Sequence, residues 1–161
     1  MVTFHPVTLE LKNTRSYLDN FTEALRKFDA NIVITYPNCD PDSGIIIEKF
    51  KKFIKENGNA RFVKNLGIKG YFSALKYSDV MIGNSSSGII EAATFALPVV
   101  DIGNRQKNRL VGKNVIHSAY AGRDIVKCIN RSLSGSFRNS LKNIRNPYGE
   151  GTASKNIVKI L

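Results

Sequence analysis

The sequence predicts an open α/β domain, with about six parallel strands in one sheet and helices on both faces. Short β-branched or apolar runs such as Ile32-Val33-Ile34-Thr35 alternate with segments whose apolar residues fall three or four apart. That alternation is the pattern of βαβ units feeding a parallel sheet. The 161 residues are 42% hydrophobic, enough for one domain with a real core and too few for two of full size. One domain over residues 1–161 is therefore expected, without internal repeat, low-complexity tract or linker.

The first strand runs from Val2 to His5 and is ended by Pro6. A helix follows from about Asn13 to Phe28, with Tyr17, Phe21, Leu25 and Phe28 on one face. Ile32 to Thr35 is the second strand. Asp42 or Ser43 can cap the next helix, which turns Ile46, Phe50, Phe53 and Ile54 inward and closes at Asn57-Gly58-Asn59. Arg61 to Val63 is a brief third strand, Gly70 to Tyr77 a short helix, and Asp79 to Ile82 the fourth strand. Pro98 to Gly103 and Asn114 to His117 read as the fifth and sixth strands. Arg123 to Ser132 then forms a helix, and a last one begins near Thr152 or Ala153.

The stretch Gly83-Asn84-Ser85-Ser86-Ser87-Gly88-Ile89-Ile90-Glu91 follows the fourth strand and starts a helix. Backbone N–H groups left free at such a turn, together with small hydroxyls, suit a phosphate group. Glu91, about one helical turn on, suits ribose hydroxyls and would repel phosphate. The pair suggests a nucleoside diphosphate. Ser, Asn and Gly also cap helices with no ligand present, and that reading stays open.

Asn104-Arg105-Gln106-Lys107-Asn108-Arg109 follows the fifth strand. It puts two guanidiniums and an ammonium on the carboxyl edge of the sheet, where open parallel sheets bind ligands. The alternative is a solvated basic loop. His5 ends a strand at the same edge and is the residue most open to a catalytic reading, by proton transfer or by donation to a phosphate. A histidine bonded to a loop would look the same in sequence. His117 also ends a strand, lacks comparable neighbours, and reads as structural. In Tyr36-Pro37-Asn38-Cys39-Asp40, Asn38 can contact a sugar or phosphate, although a plain turn explains the segment equally. Tyr148-Gly149-Glu150-Gly151 permits close backbone approach to a ligand or a tight turn.

The net charge is +11, and it is unevenly placed: residues 1–104 carry 12 basic and 11 acidic side chains, residues 105–161 carry 12 and 2. Such a field favours anionic partners of any kind. No apolar run approaches a membrane span and the N-terminus lacks signal-peptide character, so a cytoplasmic location without membrane attachment is expected. Cys39 and Cys128 read as free thiols. No His, Cys and carboxylate cluster has metal-ligand spacing, and neither a metal nor a cofactor is expected.

Taken together, Thr3-Phe4-His5-Pro6-Val7-Thr8, Tyr36-Pro37-Asn38, Gly83 through Glu91 and Gly103 through Arg109 resemble the UDP-N-acetylglucosamine 2-epimerase family, in order and approximate spacing. The hydrolysing branch, which acts in sialic acid and related nonulosonic acid synthesis, is the most similar. Tyr148-Gly149-Glu150-Gly151 looks like its C-terminal glycine motif. The resemblance implies a Rossmann-like domain, similar to the C-terminal half of a glycosyltransferase-B fold, with the family's N-terminal domain absent. It implies that Ser85 and Ser86 bind the diphosphate, Glu91 the ribose, Arg105 the phosphate region and the backbone around Leu66 the uracil. His5 and Asn38 would face the sugar-phosphate side. The reaction it implies removes the C2 proton, eliminates UDP to leave a 2-acetamidoglucal, and adds water to give N-acetylmannosamine. The carboxylates for those steps belong largely to the absent domain, so this chain alone is expected to bind UDP-N-acetylglucosamine or a related nucleotide sugar without turnover. Family members often assemble into dimers and tetramers.

Two rivals remain at this level. The nucleotide domain of a glycosyltransferase would share the architecture, although the Arg-Gln-x-x-Arg loop favours the epimerase. A basic nucleic-acid-binding module would use the charge excess, but the basic region lacks interleaved aromatics or a recognition motif, and no nucleic-acid partner is expected.

Overall fold

A computed structural model describes all residues, 1–161. Strands β1 (Val2–Thr3), β2 (Ile32–Thr35), β3 (Ala60–Val63), β4 (Met81–Gly83), β5 (Val99–Ile102) and β6 (Val115–Ser118) form one parallel sheet in the order β3-β2-β1-β4-β5-β6. The chain moves outward from β1 to β3, returns to the middle at β4 and moves outward again to β6. Loops leaving β1 and β4 therefore diverge, which opens a crevice at the carboxyl edge between these two strands.

Seven helices connect or follow the strands: α1 (Thr14–Leu25), α2 (Ser43–Glu56), α3 (Gly67–Tyr77), α4 (Ser86–Ile90), α5 (Gly122–Leu133), α6 (Gly135–Ser140) and α7 (Ala153–Ile160). Single 3-10 segments cover Thr8–Asn13 and Ala92–Phe95. No helix is long and apolar enough to cross a membrane. Alternation along the strands sends Val2, Phe4, Ile82, Val100 and Ile102 to one core and Met1, Met81 and Val99 to another. The first core is closed by α1, α2 and α5 through Leu18, Phe21, Ile46, Phe50, Phe53 and Ile125. The second is thinner and is closed by α3 and the segment after α4 through Leu75, Ala92 and Leu97. Helix α4 lies directly on β5, since a Cβ on Gly88 would stand 2.9 Å from Val99 Cγ1.

Every expected strand is present, with shifted ends. β1 stops at Thr3 rather than His5. Beyond it the Asn84 side-chain amide takes both polar groups of the His5 backbone, accepting from its N–H at 2.7 Å and donating to its carbonyl at 2.9 Å. A side chain thus replaces the strand partner. The helix expected from Asn13 to Phe28 ends at Leu25 and is preceded by the 3-10 segment. β4 begins two residues later than expected and includes Gly83, whose φ of +142° carries the chain past Thr3. A Cβ there would lie 1.9 Å from the Thr3 carbonyl oxygen, so only glycine fits. Asp42 occupies the cap position of α2 in the left-handed region without a capping bond, and its carboxylate accepts from Thr14 Oγ1 at 3.1 Å instead.

Candidate functional site

Asn84 is the hub of the crevice. It is fully buried, and its side chain holds the loop after β1 through His5. Its own carbonyl accepts from Gln106 Nε2 at 2.7 Å and from Arg105 Nη1 at 3.2 Å, both from the loop after β5. Three loops that are distant in sequence meet at one residue. The serine turn and the arginine loop therefore face the same crevice, as the sequence led one to expect.

Ser85 is the N-cap of α4, and its Oγ accepts from the Ser87 N–H at 3.3 Å. Ser86 opens the helix half-buried, with a hydroxyl that makes no bond within the chain. Glu91 ends α4 one turn beyond Ser87, whose carbonyl accepts the Glu91 N–H at 2.9 Å. Leu66 precedes α3 and packs against the thinner core, on the same face as α4.

His5 Nδ1 accepts the Asn38 backbone N–H at 3.1 Å. That bond assigns the ring proton to Nε2. Burial first, and then the Arg105 charge, lower the His5 pKa to about 4, against a smaller opposing pull from Asp40. The ring is neutral at pH 7 and its remaining polar atom is a donor. It suits hydrogen bonding to a phosphate or sugar oxygen better than it suits uptake of a proton. Asn38 donates from Nδ2 to Asp40 at 2.6 Å. Burial also lowers the Arg105 pKa, countered by Asp40 and reinforced by Arg109, and the guanidinium remains charged.

Buried polar atoms normally find partners. Asn38 Oδ1, Ser87 Oγ, Glu91 Oε2 and Gln106 Oε1 are buried here without any. All four belong to the loops and short helix around the crevice. Tyr71, from α3, is near enough to Ser87, Thr3 and Ser85 for them to oppose part of the rise that burial gives its pKa, although its hydroxyl bonds to none of them. Such an arrangement offers donors and acceptors to a polar ligand with both phosphate and hydroxyl groups.

Sequence reasoning missed several participants. Asn84 and Gln106 lay inside the quoted motifs, but their role as clamps depends on tertiary contacts. Tyr71 carried no local signal at all. His117 has more company than expected: its Nδ1 lies 2.9 Å from Asp101 Oδ2, across the β5–β6 pairing. Burial raises the Asp101 pKa to about 6, against the attraction of His117 and Arg105. The Tyr148–Gly151 segment is tied down near α4. Asn146 Nδ2 donates to the Ile90 carbonyl at 2.7 Å, and the Tyr148 hydroxyl to the Leu110 carbonyl at 3.0 Å.

Comparison with known proteins agrees with this arrangement. The sequence profile of a family described as UDP-N-acetylglucosamine 2-epimerase matches residues 1–161. A GDP/UDP-N,N'-diacetylbacillosamine 2-epimerase (hydrolyzing) of Campylobacter jejuni is 38% identical over 120 residues, 73% of this chain and 31% of that protein. The polysialic acid biosynthesis protein P7 of Escherichia coli is 34% identical over 163 residues, 100% of this chain and 41% of its own length. Among solved structures, UDP-GlcNAc 2-epimerase from Neisseria meningitidis bound to UDP-GlcNAc superposes with a TM-score of 0.79 at 17% identity, over 99% of this chain and 43% of that one. The S. aureus MnaA–UDP structure gives 0.75 at 16%, over 98% and 42%. The chain thus spans well under half the length of these relatives.

Proposed function

The chain belongs to the UDP-N-acetylglucosamine 2-epimerase family, and from that premise we propose that it is the nucleotide-sugar-binding C-terminal domain of a hydrolysing 2-epimerase. Its substrate is UDP-N-acetylglucosamine or a related acetamido-sugar nucleotide, and its setting is cytoplasmic synthesis of sialic or related nonulosonic acids and surface polysaccharide. The observation that carries the reading is the convergence on Asn84. The serine turn, the Arg105 guanidinium and the His5 ring are locked around one crevice at the switch point of the sheet.

In this reading Ser85 and Ser86 hold the diphosphate and Arg105 neutralises it as it departs with the nucleotide. Glu91 accepts from the ribose, the backbone at Leu66 meets the base, and Asn38 and the neutral His5 ring donate on the sugar-phosphate side. Stabilising a leaving diphosphate lowers the barrier to elimination. In this reading Glu91 is given to the ribose and Asp40 is bonded to Asn38, so the carboxylates for proton removal at C2 and addition of water come from the family's N-terminal domain. This chain therefore binds nucleotide and does not turn over alone.

Titration calorimetry with UDP, GDP and their N-acetylglucosamine conjugates tests the reading. Binding of a nucleotide that weakens about tenfold or more in Ser86→Ala is expected, the cost of a lost hydrogen bond to a charged group. Absence of binding to every nucleotide would remove the proposal. In a longer protein containing this domain, release of free N-acetylmannosamine and UDP is the expected product pattern.

A further inference from the structure

Beyond the nucleotide crevice, a second cleft of about 420 Å³ opens between the 103–109 loop and the end of β6. Lys107, Arg109 and His117 line it, with Asn104, Asn108 and Tyr120. The Lys107 and Arg109 side chains are exposed and enter no hydrogen bond or ion pair of the chain. His117 is held from behind: its Nδ1 faces the buried Asp101 carboxylate at 2.9 Å, which leaves Nε2 on the half-exposed side of the ring. The backbone that presents the two cations is unusual, because Asn108 between them has a φ of +69°. It is anchored at its start, where the Asn104 N–H donates to the Tyr120 hydroxyl at 3.3 Å and Asn104 Nδ2 to Glu10 at 2.9 Å. A loop tethered at Asn104 that lines the cleft with two unpaired cations, beside an oriented imidazole, is a preorganised anion receptor rather than a floppy basic tip.

We propose that this cleft is a second ligand site, for a small phosphate-bearing anion, distinct from the nucleotide crevice. Asp101 links the two: its carboxylate lies 2.9 Å from His117 Nδ1, and its charge also acts on Arg105. Arg105 in turn holds the serine turn through the Asn84 carbonyl. An anion in the cleft adds negative charge on the flank of the diphosphate subsite, so occupancy weakens nucleotide binding, and the nucleotide weakens the anion equally. This second statement rests on the proposed nucleotide function, whereas the first does not.

The chain has two histidines, one at each site, and their ring signals in a proton–carbon correlation spectrum separate the possibilities. Inorganic phosphate, added at constant ionic strength against chloride, is expected to move the His117 signal saturably and leave His5 in place. The Lys107→Ala/Arg109→Ala double variant, altered only at exposed positions, is expected to abolish that movement while keeping the His5 signal as a check of folding. Malonate in place of phosphate distinguishes a phosphate site from a general oxyanion site; a larger saturable shift with malonate overturns the phosphate assignment. A His117 signal that does not move, moves without saturating, or still saturates in the double variant overturns the site. UDP is expected to move His5, and its affinity to fall about fivefold in saturating phosphate in the wild type but not in the double variant, which separates coupling from competition at the diphosphate subsite. Failure of UDP to move His5 removes the nucleotide reading and leaves the phosphate result standing. An unchanged UDP affinity removes only the coupling.

Discussion

Helices α1, α2 and α5 cover one face of the sheet with rings that have almost no exposure, Phe21, Phe50 and Phe53 among them. The other face is covered by α3, α4 and a 3-10 segment over a much smaller cluster. Ser87 Oγ and Glu91 Oε2 lie buried and unpaired beside that cluster. The aromatic face satisfies itself, and the thin face leaves polar groups waiting. Stability is concentrated on one side of the sheet, and the groups proposed to bind lie on the other and at its rim.

The strongest way to test that division is to cut the aromatic face. Phe50→Ala is expected to destabilise by about 3–5 kcal/mol, read by denaturant unfolding, while the nucleotide affinity of the protein that remains folded stays as it was. A large fall in affinity at constant folded fraction would dissolve the distinction. Next in size is the hub. Asn84→Ala leaves the His5 N–H and carbonyl without their partner, at about 1–3 kcal/mol for each group stranded. It also frees the loop after β1, so stability and UDP affinity fall together, unlike in the phenylalanine variant.

Smaller and more local is Arg105→Lys, which keeps the charge and loses the fork. UDP affinity is expected to fall about tenfold with stability nearly unchanged, measured by calorimetry and by the unfolding midpoint. The subtlest test uses pH. His5 has its pKa lowered in the fold to about 4, so its contribution is present above its unfolded value near 6.5 and is lost as pH falls through about 4. Asp101 has its pKa raised to about 6, so its contribution is present at low pH and is lost as pH rises through about 6. The two slopes oppose each other between about pH 4 and 6. Relative to wild type, Asp101→Asn is therefore expected to gain stability as pH rises through that window, and His5→Gln to lose it. Parallel curves for both variants would show that neither group titrates in the environment described.

How far these features were legible in sequence follows their range. Strand identity, the inward face of α2 and the position of the serine turn depend on local periodicity and turn chemistry, and they were readable, whereas α1 buries Leu18 with Phe21 and Leu25 and stacks Tyr17 on Tyr120 instead of in the core. The ends of β1 and β4 were not, because Asn84 and the Thr3–Gly83 approach decide them from across the sheet. The co-location of Ser85, Glu91, Arg105, His5 and Asn38 could be anticipated from strand ends at one edge. The Asn84 clamp and the pairing of His117 with Asp101 could not, since each joins residues whose spacing carries no pattern. His117 shows this most plainly: its sequence neighbours say nothing about the cationic loop that lies beside it in space.

One consequence of the sheet order concerns how the molecule comes into being. β1 sits in the middle, and its link to Asn84 closes a loop of 79 positions. Contacts that distant form slowly, because the entropy of closing the loop precedes any reward. The crevice and the β1–β4 pairing beneath it wait on the same closure. In the proposed reading, a nucleotide held there stabilises the closed loop by mass action and contributes nothing before it closes.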